Sequence, residues 1–365
     1  MNRATWGRPM AGLLAVAVVV ALAAGLGAAD GPPPATADDP PTPPLGLPPA
    51  FWPDDNPYST AKANLGRFLY YDTRLSSDNT VSCASCHAPE KAFGDGLAVS
   101  LGIGKQKGGR SAPTVINRAY STQQFWDGRA ASLEEQAKGP LANPLEMTAD
   151  KDADAAHKAV VRRIRDVPGY VPLFQKAFGG EVQKGDDITI DHVAKAIATF
   201  ERIVYSGNAP YDRYQAGELN AMSPAQVRGL DVFTKKAACD ACHLGFNFTD
   251  GSYVNIGVGW DKGTPADLGR FKVTEREEDK GAFKTPTLRE IVRTGPYMHD
   301  GSMATLEEVV DHYDKGGNPN PYLDQRIVPL KLSAQEKSDL IAFLHALSGE
   351  GWQNLTAPSA QEFPR

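Results

Sequence analysis

Cysteine is scarce in this chain: four in 365 residues. That is too few for a scaffold held together by disulfides in place of a core. Positive charge is not in excess either, with 38 Lys and Arg against 44 Asp and Glu and a formal net charge of −6. A nucleic-acid partner gripped by bulk electrostatics is therefore excluded. Beyond the run from Met10 to Ala29 no apolar stretch is long enough to span a membrane as a helix. Histidine and methionine are also sparse, at seven and six. What is present, 41% apolar and 22% charged residues, is the composition of a soluble globular protein with room for two domains.

All four cysteines fall in one five-residue pattern that occurs twice, Cys83-Ala-Ser-Cys86-His87 and Cys239-Asp-Ala-Cys242-His243. Cys-x-x-Cys alone also suits a zinc knuckle or a dithiol redox pair. Neither explains a histidine directly after the second cysteine both times. Cys-x-x-Cys-His is the attachment signature of c-type haem: two thiols bond the macrocycle along one edge, and the histidine becomes the proximal iron ligand. The sequence thus predicts two covalently bound haems, with His87 and His243 on their irons.

The organisation follows from that. Arg3 and Arg8, the apolar run and the closing Gly-Ala-Ala read as a signal peptide over 1–29, or as an uncleaved anchor of sufficient length. Either implies export, to the periplasm. Residues 30–55 are proline-rich and read as a semi-extended spacer, either disordered or a tether to the membrane. Two helical units follow, 56–210 and 211–350, with a tail over 351–365. Each unit has a helix before its haem motif (Leu65, Phe68 and Leu69; Val227, Leu230 and Phe233 after a Ser223 cap). Each also closes with an amphipathic helix (Val193, Ile197, Phe200 and Ile203; Leu340, Ile341, Leu344 and Leu347 after a Ser333–Glu336 capping box). The expected fold is mainly α: two cytochrome c-like domains, each wrapped around its haem and related by internal duplication.

Function turns on the sixth position of each iron, filled in a carrier and open in a catalyst. Beyond His87 and His243 the histidines are His157, His192, His299, His312 and His345. None lies between His87 and His157, and the loop from Val99 to Gly109 offers no strong iron ligand. Further on stand Trp126, Glu134, Glu135, Gln136, Pro140 and Glu146. A carboxylate beside an open iron can move a proton between the two oxygens of a peroxide, and an amide can hold the leaving oxygen. Spacing alone leaves open whether these side chains do so or merely face solvent.

From about Leu65 to Gly349 the chain resembles the bacterial di-haem cytochrome c peroxidase family, which includes the MauG-type enzymes. The resemblance is carried by LGRFLYYDTRLS, SCASCH, APTVINRAYSTQQFWDGRAASLEEQAKGPLANPLEM, ACDACHLGFNFTDG, GAFKTPTLRE and TGPYMHDGSMATLEEVVDHYDKGG. It implies a peroxidatic N-terminal haem and a C-terminal haem that stores and relays electrons. The family's inter-haem tryptophan falls on Trp126, its distal glutamine and glutamate on Gln136 and Glu146, and its distal proline on Pro140. Hydrogen peroxide is the implied substrate. A small redox protein, a monohaem cytochrome c or a cupredoxin, is the implied donor. Oxidation of a partner protein, as in MauG, is the second enzymatic expectation, and a non-catalytic electron-transfer or redox-sensing cytochrome the third.

Three positions depart from the family's commonest pattern. A switchable histidine after the first motif is replaced by Ile103, so the first iron is expected to be open as made. The sixth ligand of the second haem, counted fourteen residues from His299, is Tyr313 as in MauG-type proteins; a phenolate favours ferric iron and lowers the potential. His312, Met298 and Met303 are its rivals, as is a purely structural Tyr313. Finally, the family's inter-domain calcium takes carbonyls that fall on Thr294 and Pro296 and an asparagine replaced here by Ser111, whose oxygen could still coordinate.

Overall fold

The helices begin where the sequence supplies caps. This is a computed structural model, and it describes residues 38–365. The leader or anchor read over 1–29, like residues 30–37, lies outside the described residues. Helix α1 (Thr60–Tyr71) starts at Ser59, whose hydroxyl accepts from the Lys62 amide. A single turn, α2 (Cys83–Cys86), carries the first haem motif. Then come α3 (Leu133–Leu141, capped by Ser132), α4 (Ala153–Arg165, capped by Asp152), α5 (Tyr170–Phe178) and α6 (Ile190–Arg202, capped by Thr189). Helix α7 (Pro210–Gln215) leads to α8 (Pro224–Asp231, capped by Ser223), which widens into a π turn at Val232–Lys236 just before the second motif. The one-turn α9 (Phe271–Thr274), α10 (Leu306–Asp314) and α11 (Ala334–His345) complete the helices; Ser333 and Glu336 form the expected capping box on α11. The strands are short: β1 (Tyr253–Val254) pairs antiparallel with β4 (Phe283–Lys284), and β2 (Trp260–Asp261) with β3 (Thr264–Pro265). The fold is mainly α, two cytochrome c-like helical halves, as the duplicated patterning predicts.

Both halves are built on one helix crossing. In the first, α1 crosses α6 at Gly66, where a Cβ would overlap the Ala196 carbonyl oxygen and press on Phe200. In the second, α8 crosses α11 at Gly229, where a Cβ would overlap the Asp339 carbonyl and press on Phe343. Any side chain at either glycine would force the helices apart, with an expected cost of about 1–3 kcal/mol. Two separate apolar cores result. Leu65, Leu69, Tyr70, Phe93, Phe174, Val193 and Phe200 belong to the first, and Phe233, Phe248, Val310, Leu340, Phe343 and Leu347 to the second.

The segments without periodicity are attached through their backbones. From Pro44 the proline-rich stretch lies against the body. Asn208 donates to the Leu45 carbonyl (2.7 Å) and the Tyr120 hydroxyl to that of Pro48 (2.7 Å), while Asn56 is fully buried. The tail returns from the second half to the first. Trp352 joins the first core, Tyr71 donates to the Leu355 carbonyl (2.6 Å), Arg67 to that of Thr356 (2.8 Å), and Arg74 to that of Pro364 (3.1 Å).

Candidate active site

Each haem motif ends in a histidine held the same way. The His87 amide donates to the Cys83 carbonyl (2.9 Å), and its Nδ1 faces the Phe93 carbonyl at 3.3 Å. The His243 amide donates to the Cys239 carbonyl (2.9 Å), and its Nδ1 faces the Phe248 carbonyl at 3.0 Å. A carbonyl can only accept, so Nδ1 carries the proton in both rings and Nε2 is left with a free lone pair. Burial lowers both imidazole pKa values, which keeps the rings neutral and able to ligate.

The loops that aim these carbonyls are also duplicated. Phe93 and Phe248 adopt left-handed backbone (φ 58° and 51°). Thr114 anchors the first loop by donating to the Ala92 carbonyl (2.6 Å), and Thr287 anchors the second by donating to that of Asn247 (2.7 Å). Three residues beyond each threonine, Asn117 and Glu290 both take φ 59°. The cysteines do not suit the alternatives. Burial raises their pKa values, Cys86 to about 11 and Cys239 to about 12, opposite to a reactive dithiol pair. Among the described residues no cluster of three or more His, Cys, Asp or Glu could hold a zinc ion.

Above the first motif lies a cavity of about 530 Å³. Of the residues singled out in the sequence, Cys86, His87, Ser111, Trp126, Gln136, Pro140 and Glu146 line it; Tyr313, Thr294, Pro296 and the second motif do not. Glu146 is poised by its surroundings. Burial raises its pKa, opposed by a hydrogen bond from Asn143 Nδ2 (2.5 Å) and by the Arg129 charge. The backbone at Glu146 is pinned as well, because its carbonyl accepts the Ile103 amide (2.9 Å) and the loop passes so closely that a Cβ at Gly102 would overlap the Leu145 carbonyl. Ile103 is thus buried, and its amide holds up the cavity wall at Glu146.

Helix α3 supplies Gln136 and Pro140, and its counterpart in the second half is α10. Both span nine residues and open with the same capping pattern: Ala131 N donates to Glu135 (2.7 Å), and Ala304 N to Glu308 (2.5 Å). Eight residues beyond the cap stands Pro140 in α3 and Tyr313 in α10. The position that carries a phenol in the second half carries a side chain without donor or acceptor in the first. Burial raises the Tyr313 pKa, and the Cys239 and Cys242 charges add to it. Its neighbour His312 points its Nε2 at the Ile256 carbonyl (2.8 Å). His299 is buried with its ring stacked on Phe283 (centroids 3.6 Å apart).

Trp126 sits where the halves meet. Its Nε1 donates to the Ser111 carbonyl (2.9 Å), the Ser111 amide donates to the His299 carbonyl (2.8 Å), and the Trp126 carbonyl accepts the Lys284 amide of β4 (2.8 Å). Ser111 is buried, so a calcium there would rest on its oxygens with the carbonyls of Thr294 and Pro296, the latter after a cis Gly295–Pro296 bond.

Several residues of the cavity escape sequence reasoning. Arg110 bridges Asp127 (2.7 Å) and Asp267 (2.6 Å), joining the loop after the first motif to the second half. The Arg129 guanidinium carbon lies over the Phe125 ring, 3.5 Å from its centre. Arg118 and Glu201 line the cavity, with burial raising the Glu201 pKa to about 8. The site fits a haem: thiols for a covalent edge at Cys83 and Cys86, a histidine presenting Nε2, and two ionisable side chains at the cavity wall, Arg118 and Glu201, that form no ion pair among the described residues.

Residues 60–220 match the family described as di-haem cytochrome c peroxidase. The chain is 43% identical over 298 residues to the methylamine utilization protein MauG of Methylorubrum extorquens, covering 82% of this chain and 81% of that one. It is 38% identical over 336 residues to the cytochrome-c peroxidase IdrP1 of Pseudomonas sp. strain SCT, covering 84% and 86%. Among solved structures, a MauG-like protein associated with microbial copper homeostasis superposes with a TM-score of 0.78 at 37% identity, covering 86% of this chain and 96% of that one. The family is di-haem and oxidoreductive, and this chain belongs to it: it is a member of the bacterial di-haem cytochrome c peroxidase and MauG family.

Proposed function

We propose that the chain is an exported peroxidase. It reduces one hydrogen peroxide to two waters with two electrons and two protons, the electrons passing from a small redox protein through the second haem to the first. The observation that carries this reading is the cavity that gathers His87, Gln136, Pro140 and Glu146. When bound, the first haem supplies an iron with one open coordination position and a store for oxidising equivalents. The residues do the rest. Glu146, its base form oriented by Asn143, takes the proton from the inner peroxide oxygen and returns it to the outer one. Gln136 donates a hydrogen bond to the departing oxygen as charge builds there. Pro140 lines the same cavity and offers no side-chain atom that could ligate a metal. Trp126, hydrogen-bonded to both halves, would relay electrons between the haems, and Tyr313 would hold the second iron together with His243. The occupation of His312 Nε2 by the Ile256 carbonyl supports Tyr313 over its neighbour. Calcium at Ser111, Thr294 and Pro296 would stiffen the junction of the halves.

Identity of 43% to a MauG favours a second reading, oxidation of residues on a partner protein. Steady-state turnover of peroxide with a reduced monohaem cytochrome c or cupredoxin separates the two. The peroxidase reading expects many turnovers per enzyme. Peroxide consumption that stops after one equivalent with every such donor would favour protein oxidation instead. Spectra of the isolated ferric protein should show one high-spin and one low-spin haem; two low-spin haems would remove the open site.

A further inference from the structure

Most cations around the first cavity have carboxylate partners. Arg110 is shared by Asp127 and Asp267, Arg129 pairs with Asp127 (3.0 Å), and Lys272 with Asp267 (3.3 Å). Arg118 does not. It lines the cavity directly after the left-handed Asn117, and among the described residues its side chain hydrogen-bonds only to the Ser121 hydroxyl, at 3.3 Å. Glu201 lines the same wall but makes no ion pair with it. A second cation lies within electrostatic range of Arg118: Lys284, from β4 of the second half. Lys284 is 6% exposed, and among the described residues its Nζ has neither a hydrogen bond nor an ion pair. Burial depresses the pKa of both groups, Arg118 to about 10, and the Arg118 charge depresses Lys284 further. The Glu201 charge opposes the burial of Arg118 without bonding to it, and nothing offsets Lys284. Two buried, mutually repelling cations without a bonded anion would each cost several kcal/mol, of the order expected for an uncompensated buried ion. The arrangement makes sense once a dianionic group stands between them.

We propose that Arg118 and Lys284 form a clamp for the propionates of the first haem, with Lys284 contributed across the junction by the second half. The clamp rests on the assignment of the cavity to a haem, and it supplies what a propionate pair needs: a guanidinium fork for one carboxylate and an ammonium for the other. It also has a mechanical consequence. The strand residue that delivers its ammonium to the first haem gives its backbone N–H to the Trp126 carbonyl. Haem seating and relay position are therefore set by one residue.

The test is a spectroelectrochemical titration of the di-haem protein, following the high-spin and low-spin haems separately. In Lys284→Met the uncompensated propionate stabilises ferric iron. The ferric/ferrous equilibrium of the first haem should shift at least tenfold toward ferric, about 59 mV for a one-electron couple. The second haem should stay in place, and Lys284→Arg should restore the first. An unmoved first haem, or a shift confined to the second, overturns the clamp. Should Lys284→Met fail to take up haem, resonance Raman of the wild type and Lys284→Arg decides. The propionate bending mode of the first haem should differ between ammonium and guanidinium partners, and an identical mode overturns the proposal. A haem count of one would instead refute the cavity assignment, and absent turnover with normal potentials would refute only the peroxidase reading.

Discussion

Replacing Glu146 by Gln isolates proton transfer from shape. The amide has nearly the size of the carboxyl, and its oxygen can still accept from Asn143 Nδ2, which lies 2.5 Å from the Glu146 oxygen. The wall made by the Ile103 amide and the Glu146 carbonyl is a backbone contact and survives. What is lost is the group that can take up and return a proton, a function worth about 10²–10⁴ in rate, or about 3–5 kcal/mol of barrier. Stopped-flow mixing of peroxide with the ferric protein measures this step without any donor. The pH dependence gives a second handle. Burial raises the Glu146 pKa above its ordinary value of 4.5, while Asn143 and Arg129 pull it down. The base form is needed, so the rate should fall with decreasing pH through a midpoint above 4.5. Asn143→Ala removes a bond that stabilises the carboxylate and should move that midpoint further up. A Glu146→Gln rate within threefold of wild type, or an acid limb that Asn143→Ala leaves in place, would refute proton transfer through this residue.

Pro140→Tyr puts a phenol where α10 has Tyr313; the high-spin signal should be lost and peroxide reactivity should fall at least tenfold, as optical and EPR spectra and stopped-flow would record. Tyr313→Met exchanges a hard anionic donor for a soft neutral one and should raise the second haem's potential; a titration that shows no change would point to another ligand. Arg289 is fully buried and doubly bonded to Asp212 (2.5 and 2.8 Å) while donating to the Phe246 carbonyl. Arg289→Leu strands a buried Asp212 carboxylate, with an expected loss of about 3–5 kcal/mol in denaturant unfolding, and Asp212→Asn in the same background should recover part of it.

What was legible in the sequence is what local chemistry dictates. The haem motifs are readable because two thioether bonds and one iron bond demand fixed spacing. The caps at Ser223 and Ser333 are readable because they satisfy amides within three residues. Gln136, Pro140 and Glu146 needed the family resemblance, since glutamine and glutamate near a helix end carry no signal of which side faces a cavity. Arg118, Glu201 and Lys284 were invisible for a different reason. Their distinguishing property is the lack of a partner, which exists only in three dimensions. Residues 44–56 and the tail attach through carbonyl groups, which every residue possesses, and through isolated side chains such as Asn56 and Trp352 that set no period. Their packing against the body could not be read from side-chain pattern.

On the proposed function, the duplication lets one arrangement hold two unlike irons. The proximal side has been kept nearly unchanged: the same left-handed turn, threonine anchor and carbonyl to Nδ1 recur in both halves. Those contacts set imidazole orientation, and any haem of this kind needs them. The distal side has diverged at matched positions of matched helices, Gln136 against Val309 and Pro140 against Tyr313. The proline in the last turn of α3 forfeits the bond that an amide at 140 would give to the Gln136 carbonyl, and the helix ends two residues later, at Ala142. On the proposed function the Tyr313 oxygen, which has no hydrogen-bond partner among the described residues, would be satisfied by the second iron. Exchanging the two residues should therefore exchange the coordination of the irons but not the reactivity. Gln136, Asn143 and Glu146 stand only in the first half, and an open second iron would have neither the base nor the amide that peroxide cleavage requires.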